Sequence, residues 1–281
     1  MDKKTAFVIG TGPSLRDIDV QKLKDYDTIS FNRSYISYKD EWGFDPTYYM
    51  CIDSSDLDSN LKDVNKLIEN SDIKVFFLCA GFATTLLRRI VEVPENIRIA
   101  KEKDIKPSQN VILLYDFEDF IGGDALAHAL HSIMVYEVVA EAHKDKGYGG
   151  EILTKIYPNA GAMGARVLCW LGYDEIVLVG CDARYRDDEE SNKYIVTNET
   201  GKIYTSTKNY DVNHYREDYF GEGTSFGKPN EEEQLKFWRL MKEATASGTA
   251  KDINIYSCSK GSNLNKYFKY IDFEDFLAGK R

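Results

Sequence analysis

Short apolar runs separated by longer stretches of helical spacing alternate along most of this chain. The runs fall at Ala6–Ile9, Thr28–Phe31, Tyr48–Ile52, Val75–Leu78, Val111–Leu114, Ile176–Val179 and Ile253–Tyr256. Several are nearly continuous hydrophobics, as strands buried on both faces of a sheet require. Between them, apolar positions recur at helical spacing over Asp124–Ala142, Gly161–Leu171 and Glu231–Ala246, the last opening with acids that suit a helix N-terminus. The loop Lys144–Gly150 closes the first of these helices. This alternation predicts an α/β fold: a Rossmann-like, mostly parallel sheet with helices on both faces.

One stretch breaks the pattern. From Ala183 to Asn230 the chain is rich in Asp, Asn, Tyr, Gly and Lys and lacks a sustained apolar period, although it lies between a strong strand and a strong helix. Segments of this length inside compact domains serve as lids or binding elements, so residues 183–230 are expected to form a lid-like insertion on the acceptor side of a site. No repeat or low-complexity linker divides the chain, and residues 1–281 read as one domain.

Composition narrows the function classes. Hydrophobic residues at 43% and charged residues at 29% are those of an ordinary globular protein. The net charge of −10 and the absence of a basic run argue against bulk nucleic-acid binding, although Arg88 with Arg89 or Arg184 with Arg186 form local basic pairs. The five cysteines, Cys51, Cys79, Cys169, Cys181 and Cys258, lie far apart and mostly in apolar runs, which suits core residues in a reducing compartment. Met1–Lys4 runs directly into the first strand, and no apolar stretch approaches the roughly 20 residues of a membrane span. A cytoplasmic location is therefore expected, with peripheral membrane contact and self-association left open.

The chemistry-bearing residues cluster at strand ends. The first strand runs into Gly10, Thr11, Gly12, Pro13 and Ser14. Such a turn allows backbone N–H groups to approach a phosphate, and a following helix, capped by Ser14, would aim its positive end at the same anion. It is neither a P-loop, lacking G-K-S/T, nor the full dinucleotide fingerprint, lacking a third glycine; a purely structural turn is the alternative. Asn32 and Asp53 follow the second and third strands, where they suit base, ribose or metal contacts or simply begin turns. Ala160 and Gly161 open a small-residue helix that can start close to the sheet or to a ligand. Asp182 follows another strand, where it could orient a partner, hold a metal or cap a local turn. His214 lies in the irregular stretch among polar residues, and histidine is the side chain best suited to accept a proton near neutrality. His128 and His131 have a metal-like spacing, but no nearby carboxylate motif completes a zinc site.

Taken in order, these pieces resemble the bacterial family 42 sialyltransferases, and more loosely the wider group of motility accessory factors and archaeal hydroxymethylpterin diphosphokinases. The resemblance is carried by V-I-G-T-G-P-S-L with the following D-I-D, by F-N-R-S-Y, by A-G-A-M-G with L-G-Y-D-E-I-V-L-V-G-C-D, by N-H-Y and by the closing I-Y-S-C-S-K-G-S-N-L. These span nearly the whole chain, with little to match over Lys62–Tyr157.

The resemblance implies a Rossmann-like sheet with a lid, and inverting, metal-independent transfer of sialic acid or a related sugar from a CMP-activated donor to a glycan or other hydroxyl acceptor, with no cofactor. It implies nucleotide contacts from Gly10, Thr11, Gly12 and Ser14, with Asn32 and Asp53 beside them and Ala160 and Gly161 near the cytosine; Asp182, by its strand-end position, joins the candidate binding residues. His214 would be the general base, and Tyr185 and Tyr194 would steady the departing phosphate. Thr11, Asp53 and Ala160 stand where the family usually carries asparagine, asparagine and serine, and those changes bear on the donor's base and sugar.

Two rival readings follow from the same residues. One is a magnesium-dependent diphosphokinase or other phosphoryl-transfer enzyme with Asp53 and Asp182 on the metal. The other is a non-catalytic nucleotide-binding module in surface-glycan or flagellar assembly.

Overall fold

Buried strands must pair every backbone N–H and C=O with one another, and here the seven apolar runs do so in a single sheet. The computed structural model describes residues 3–79, 105–106, 108, 111–114, 159–199, 201, 203–247 and 252–281. The strands are β1 (Thr5–Ile9), β2 (Asp27–Phe31), β3 (Tyr48–Cys51), β4 (Val75–Cys79), β5 (Val111–Leu114), β6 (Glu175–Val179) and β10 (Asn254–Ser257), with β11 (Lys269–Tyr270) added at the edge. Their order is β11-β10-β6-β1-β2-β3-β4-β5, and every pairing in this eight-stranded sheet is parallel. In register, Val8 pairs with both Ile29 and Leu178, so β1 lies at the centre.

A separate antiparallel sheet forms inside the polar insertion from β7 (Ile195–Thr197), β8 (Ile203–Ser206) and β9 (Ser225–Gly227). The stretch that lacked an apolar period is thus ordered by short strands.

Alternate residues of the parallel strands feed two cores, one on each face. On one face Val8, Ile29, Met50 and Leu178 pack beneath α2 (Ala160–Trp170) and α3 (Glu231–Ser247). On the other, Phe7, Ile9, Tyr49 and Val177 pack against α1 (Ser54–Asn70), the short helical turns after β1 and β2, and α4 (Phe273–Leu277). Helix α1 uses Leu57, Leu61, Val64, Leu67 and Ile68 as its inner stripe, an i, i+4, i+7 pattern within an otherwise polar segment.

Helix α2 approaches the sheet closely because of its small residues. A Cβ at Gly164 would stand 2.6 Å from Cζ of Phe31, nearer than real Cβ atoms come. Glycine here costs about 1 kcal/mol of helix propensity and allows β2 and α2 to touch.

The expected helix after the first glycine turn is only a five-residue 3-10 turn, Pro13–Asp17, preceded by Gly12 and without a side-chain cap. Ser14 therefore does not cap it. Cys51, Cys169, Cys181 and Cys258 are buried free thiols. No helix among the described residues is long and apolar enough to cross a membrane. The helix at 124–142, the loop at 144–150, the pair His128 and His131, and the pair Arg88 and Arg89 lie outside the described residues.

Candidate active site

Strand β1 is where the chain reverses its direction of travel across the sheet: β2 pairs on one side of it and β6 on the other. The loops leaving two such strands diverge and open a crevice at their carboxyl ends, the usual ligand site of open parallel sheets. A cleft of about 900 Å³ lies there. Its floor comes from Gly10, Thr11 and Gly12 after β1, Phe31 and Asn32 at the end of β2, and Gly180, Cys181 and Asp182 after β6. Asn159, Ala160 and Gly161 at the start of α2 wall one side, and the insertion closes over with His214, Phe220 and the β9 segment.

The glycines of the turn are required by the close approach of β6 rather than by a free anion cradle. A Cβ on Gly10 would meet the Gly180 carbonyl oxygen at 2.4 Å, and one on Gly12 would meet Oδ2 of Asp182 at 2.2 Å. The backbone donors are correspondingly committed. Gly10 N–H donates to the Val179 carbonyl at 2.8 Å, Gly12 N–H to the Gly180 carbonyl at 2.8 Å, and Ser14 N–H to Oδ2 of Asp182 at 3.0 Å. Pro13 has no N–H. Thr11 is left as the one residue of the turn whose N–H has no partner among the described residues. The expectation that these N–H groups jointly hold a phosphate is therefore corrected: protein acceptors occupy three of them. Ser14 itself does not line the cleft, and its hydroxyl oxygen is buried without a partner.

Across the floor, the insertion is fastened to that same turn. Tyr215 N–H donates to the Thr11 carbonyl at 2.9 Å, and the Arg16 guanidinium donates to the carbonyls of Tyr215 and His214, each at 2.8 Å. Tyr215 also donates its hydroxyl to Ser37 Oγ at 2.8 Å. These bonds seat His214 on the cleft wall.

The His214 ring is held at Nδ1 and against two aromatic rings. Its Nδ1 lies 2.8 Å from Oδ2 of Asp211, whose Oδ1 accepts the backbone N–H groups of Asn213 and His214. The ring stacks on Tyr219 at 4.1 Å with the planes 7° apart, and Phe220 meets it edge-on at 4.9 Å. With Nδ1 tied to a buried carboxylate, Nδ1 carries the proton and Nε2 is the basic atom, and Nε2 has no partner among the described residues. Asp211 is the carboxylate that sequence reasoning passed over, although its Asp-x-x-His spacing was visible.

The opposite wall is acidic. Asp53 is the N-cap of α1, its Oδ1 accepting the Asp56 N–H at 3.2 Å. Asp56 also lines the cleft, and burial, with Asp53 adding to it and Arg33 opposing, pushes its carboxyl up to about 7. Asn32 reaches toward it, Nδ2 to Oδ2 at 3.4 Å, from a left-handed backbone with φ of +48°. The Asn32 Oδ1 is buried without a partner, which suits a donor arriving from a ligand. Asp56 was not among the residues singled out from the sequence, because nothing in a run of Asp and Ser marks which acid is buried.

Helix α2 presents Ala160 and Gly161 to the cleft. The Asn159 side chain caps the helix by accepting the Ala162 N–H at 2.8 Å, so the first two N–H groups of the helix remain without helical acceptors. Trp238 from α3 covers this end, its Cζ2 standing 3.0 Å from where a Gly161 Cβ would be.

Of the residues singled out from sequence, Gly10, Thr11, Gly12, Asn32, Asp53, Ala160, Gly161, Asp182, Tyr185 and His214 line one cleft. Tyr194 does not: its ring meets Tyr210 edge-on at 5.1 Å under the Lys208 ammonium, away from the cleft lining. Burial, and then the negative charge of Asp211, raise the Tyr185 phenol, so it stays a neutral donor. Among the described residues no group of three or more His, Cys, Asp or Glu is arranged to hold a metal ion.

No protein-family model matches the chain, and no curated protein sequence does. Among solved structures, it is similar to the monofunctional α-2,3-sialyltransferase Cst-I of Campylobacter jejuni, at 18% identity over 95% of this chain and 80% of that one, with a TM-score of 0.48. It is similar also to the Campylobacter jejuni sialyltransferase CstII with cytidine-5'-monophosphate, at 17% identity over 95% and 84% with a TM-score of 0.43. CstII bound to a trisaccharide acceptor and CMP gives 17% identity over 94% and 85%, with a TM-score of 0.43.

Proposed function

We propose that the chain is an inverting glycosyltransferase that moves a sialic acid or related sugar from a CMP-activated donor to a hydroxyl acceptor. The observation that carries this reading is the direct tie between the His214 segment and the first glycine turn, through Tyr215 N–H and the Thr11 carbonyl. It seats an Asp-oriented imidazole, with Nε2 as its basic atom, on the wall of the cleft at the sheet's ligand-binding edge. The motif order that resembles family 42 sialyltransferases supplies the substrate class.

In this reading the pyrimidine is read at the start of α2, where the N–H groups of Ala160 and Gly161 lack helical acceptors and Trp238 offers an aromatic wall. Asn32 and the acidic wall take the ribose hydroxyls. His214 Nε2 accepts the proton of the acceptor hydroxyl as that oxygen attacks the anomeric carbon, and the bond from carbon to the donor phosphate breaks with its electron pair on phosphate oxygen. Asp211 steadies the imidazolium that results. Phosphoryl transfer through Asp53 and Asp182 is less favoured: Asp53 is engaged as the cap of α1, and Asp182 as the acceptor for Ser14.

The deciding experiment incubates the protein with CMP-N-acetylneuraminic acid and a lactose acceptor in the presence of a chelator, following CMP release and the anomeric configuration of the product. Chelator-resistant release with inversion is expected. Absence of CMP binding together with magnesium-dependent turnover of a nucleoside triphosphate would overturn the reading.

A further inference from the structure

Since the Gly10–Ser14 turn spends most of its N–H groups on the protein, the charge of a bound phosphate needs another partner. Among the described residues, two lysine or arginine side chains line the cleft, Arg184 and Lys228. Lys228 is engaged, its Nζ 2.8 Å from Oδ2 of Asp187. Arg184 has no hydrogen bond or ion pair among the described residues.

The backbone around Arg184 is clamped on both sides. The Asp182 carbonyl accepts the Asn263 N–H at 3.0 Å and the Ser262 hydroxyl at 3.1 Å. Next, the Ala183 carbonyl accepts Nδ2 of Asn263 at 3.1 Å, and after Arg184 the Tyr185 N–H donates to Oε2 of Glu231 at 3.3 Å. Asn263 and Glu231 are themselves joined at 2.8 Å. Within this clamp Ala183 is held at a φ of +44°, a conformation unfavourable to an L residue by about 1–3 kcal/mol. A strained backbone that delivers a cation without a protein partner into a cleft is a ligand clamp in the making.

We infer that Arg184 is the phosphate-binding residue of the site, its guanidinium pairing with the nucleotide phosphate and taking up the charge that grows on the leaving oxygen. This rests on the proposed reading that the cleft holds a nucleotide. Placement follows from charge: of the carboxylates lining the cleft, Asp53 and Asp58 lie on the α1 side and Asp182 is paired with the Ser14 N–H, so an anion is favoured at the Arg184 side, in the fork geometry that suits phosphate.

The test is calorimetric titration of the full chain with CMP, UMP, AMP, GMP, cytidine and free N-acetylneuraminic acid, for wild type, R184Q and R184K. Arg184 is exposed and carries no structural partner, so R184Q is expected to unfold at the wild-type temperature. Wild type should bind CMP more tightly than cytidine, and R184Q should lose roughly 10- to 100-fold in CMP affinity while binding cytidine unchanged. R184K should fall between them. CMP binding that R184Q leaves untouched overturns the role of Arg184 alone. Weakened binding of the free sugar with CMP affinity unchanged moves the guanidinium to the sugar carboxylate and overturns the phosphate assignment. Preference for another nucleoside monophosphate, still lost in R184Q, keeps Arg184 and removes the CMP reading. Wild type that binds none of them overturns both.

Discussion

His214 Nδ1 and Asp211 Oδ2 stand 2.8 Å apart, and the carboxylate that orients the ring is nearly buried, with its side chain 8% exposed. The pair makes two substitutions informative. In the proposed reading H214A removes the proton acceptor and should lower kcat by about 100- to 10,000-fold, while leaving CMP affinity within a factor of two or so. D211N keeps the shape but presents an amide to Nδ1, and it should lower kcat with little change in donor KM. Steady-state kinetics with separate titration of CMP check both; an H214A variant with wild-type turnover removes the histidine from the mechanism.

Gly12 is predicted to be intolerant of a single methyl. The Cβ of G12A would fall 2.2 Å from Oδ2 of Asp182 and 2.8 Å from the Gly180 carbonyl, and Asp182 cannot swing away without releasing the Ser14 N–H. Overpacking of this kind costs about 1–3 kcal/mol. If the clash is with the carboxylate, the double variant G12A/D182A should lose less stability than the two single variants add up to. Denaturant unfolding of the four proteins measures the coupling, and strict additivity would show that the turn relaxes elsewhere.

These residues also show what sequence can and cannot reveal. The strands of the parallel sheet were legible because both of their faces are buried, so Phe7–Val8–Ile9 and Ile176–Val179 read as unbroken apolar runs. The strand ends then placed Gly10, Asn32, Asp53 and Asp182 at one edge. Helix α1 was missed because its apolar stripe of Leu57, Leu61 and Val64 is diluted by Asp, Ser, Asn and Lys, the composition of a loop. The antiparallel sheet was missed because its strands are three or four residues long, too short for an alternation to register. What the glycines accommodate was illegible for a different reason: the partner of Gly12 is Asp182, and only the fold brings those two together.

The Asn263 clamp makes a prediction about positioning. N263A removes the bond to the Ala183 carbonyl and the tie to Glu231, and Asn263 itself does not line the cleft. With the strained Ala183 free to relax, CMP affinity should fall by several fold while cytidine affinity holds, a smaller version of the R184Q effect. N263L, which keeps the size but carries neither a donor nor a charge, should behave like N263A. Equal loss of CMP and cytidine binding would mean that the clamp supports the whole cleft and not Arg184 alone.

Asp56 gives a prediction in pH. Burial holds its carboxyl at about 7 in the folded protein, against about 3.9 for an exposed aspartate. The folded state therefore binds the proton more strongly than the unfolded chain. Its contribution to stability is fully present below about pH 4 and is lost as pH rises toward 7, an effect of at most the order of 4 kcal/mol. Carboxylates held low, such as Asp218 beside the Arg216 guanidinium, act in the opposite sense, with stability present above their unfolded pKa and lost as pH falls. The informative quantity is thus the difference between wild type and D56N, which carries no titrating group at this position. D56N should gain stability relative to wild type between pH 5 and pH 8, and urea unfolding at the two values measures it. Parallel pH profiles for the two proteins would show that Asp56 ionises at its ordinary value, and would remove the protonated acid from the wall facing Asn32.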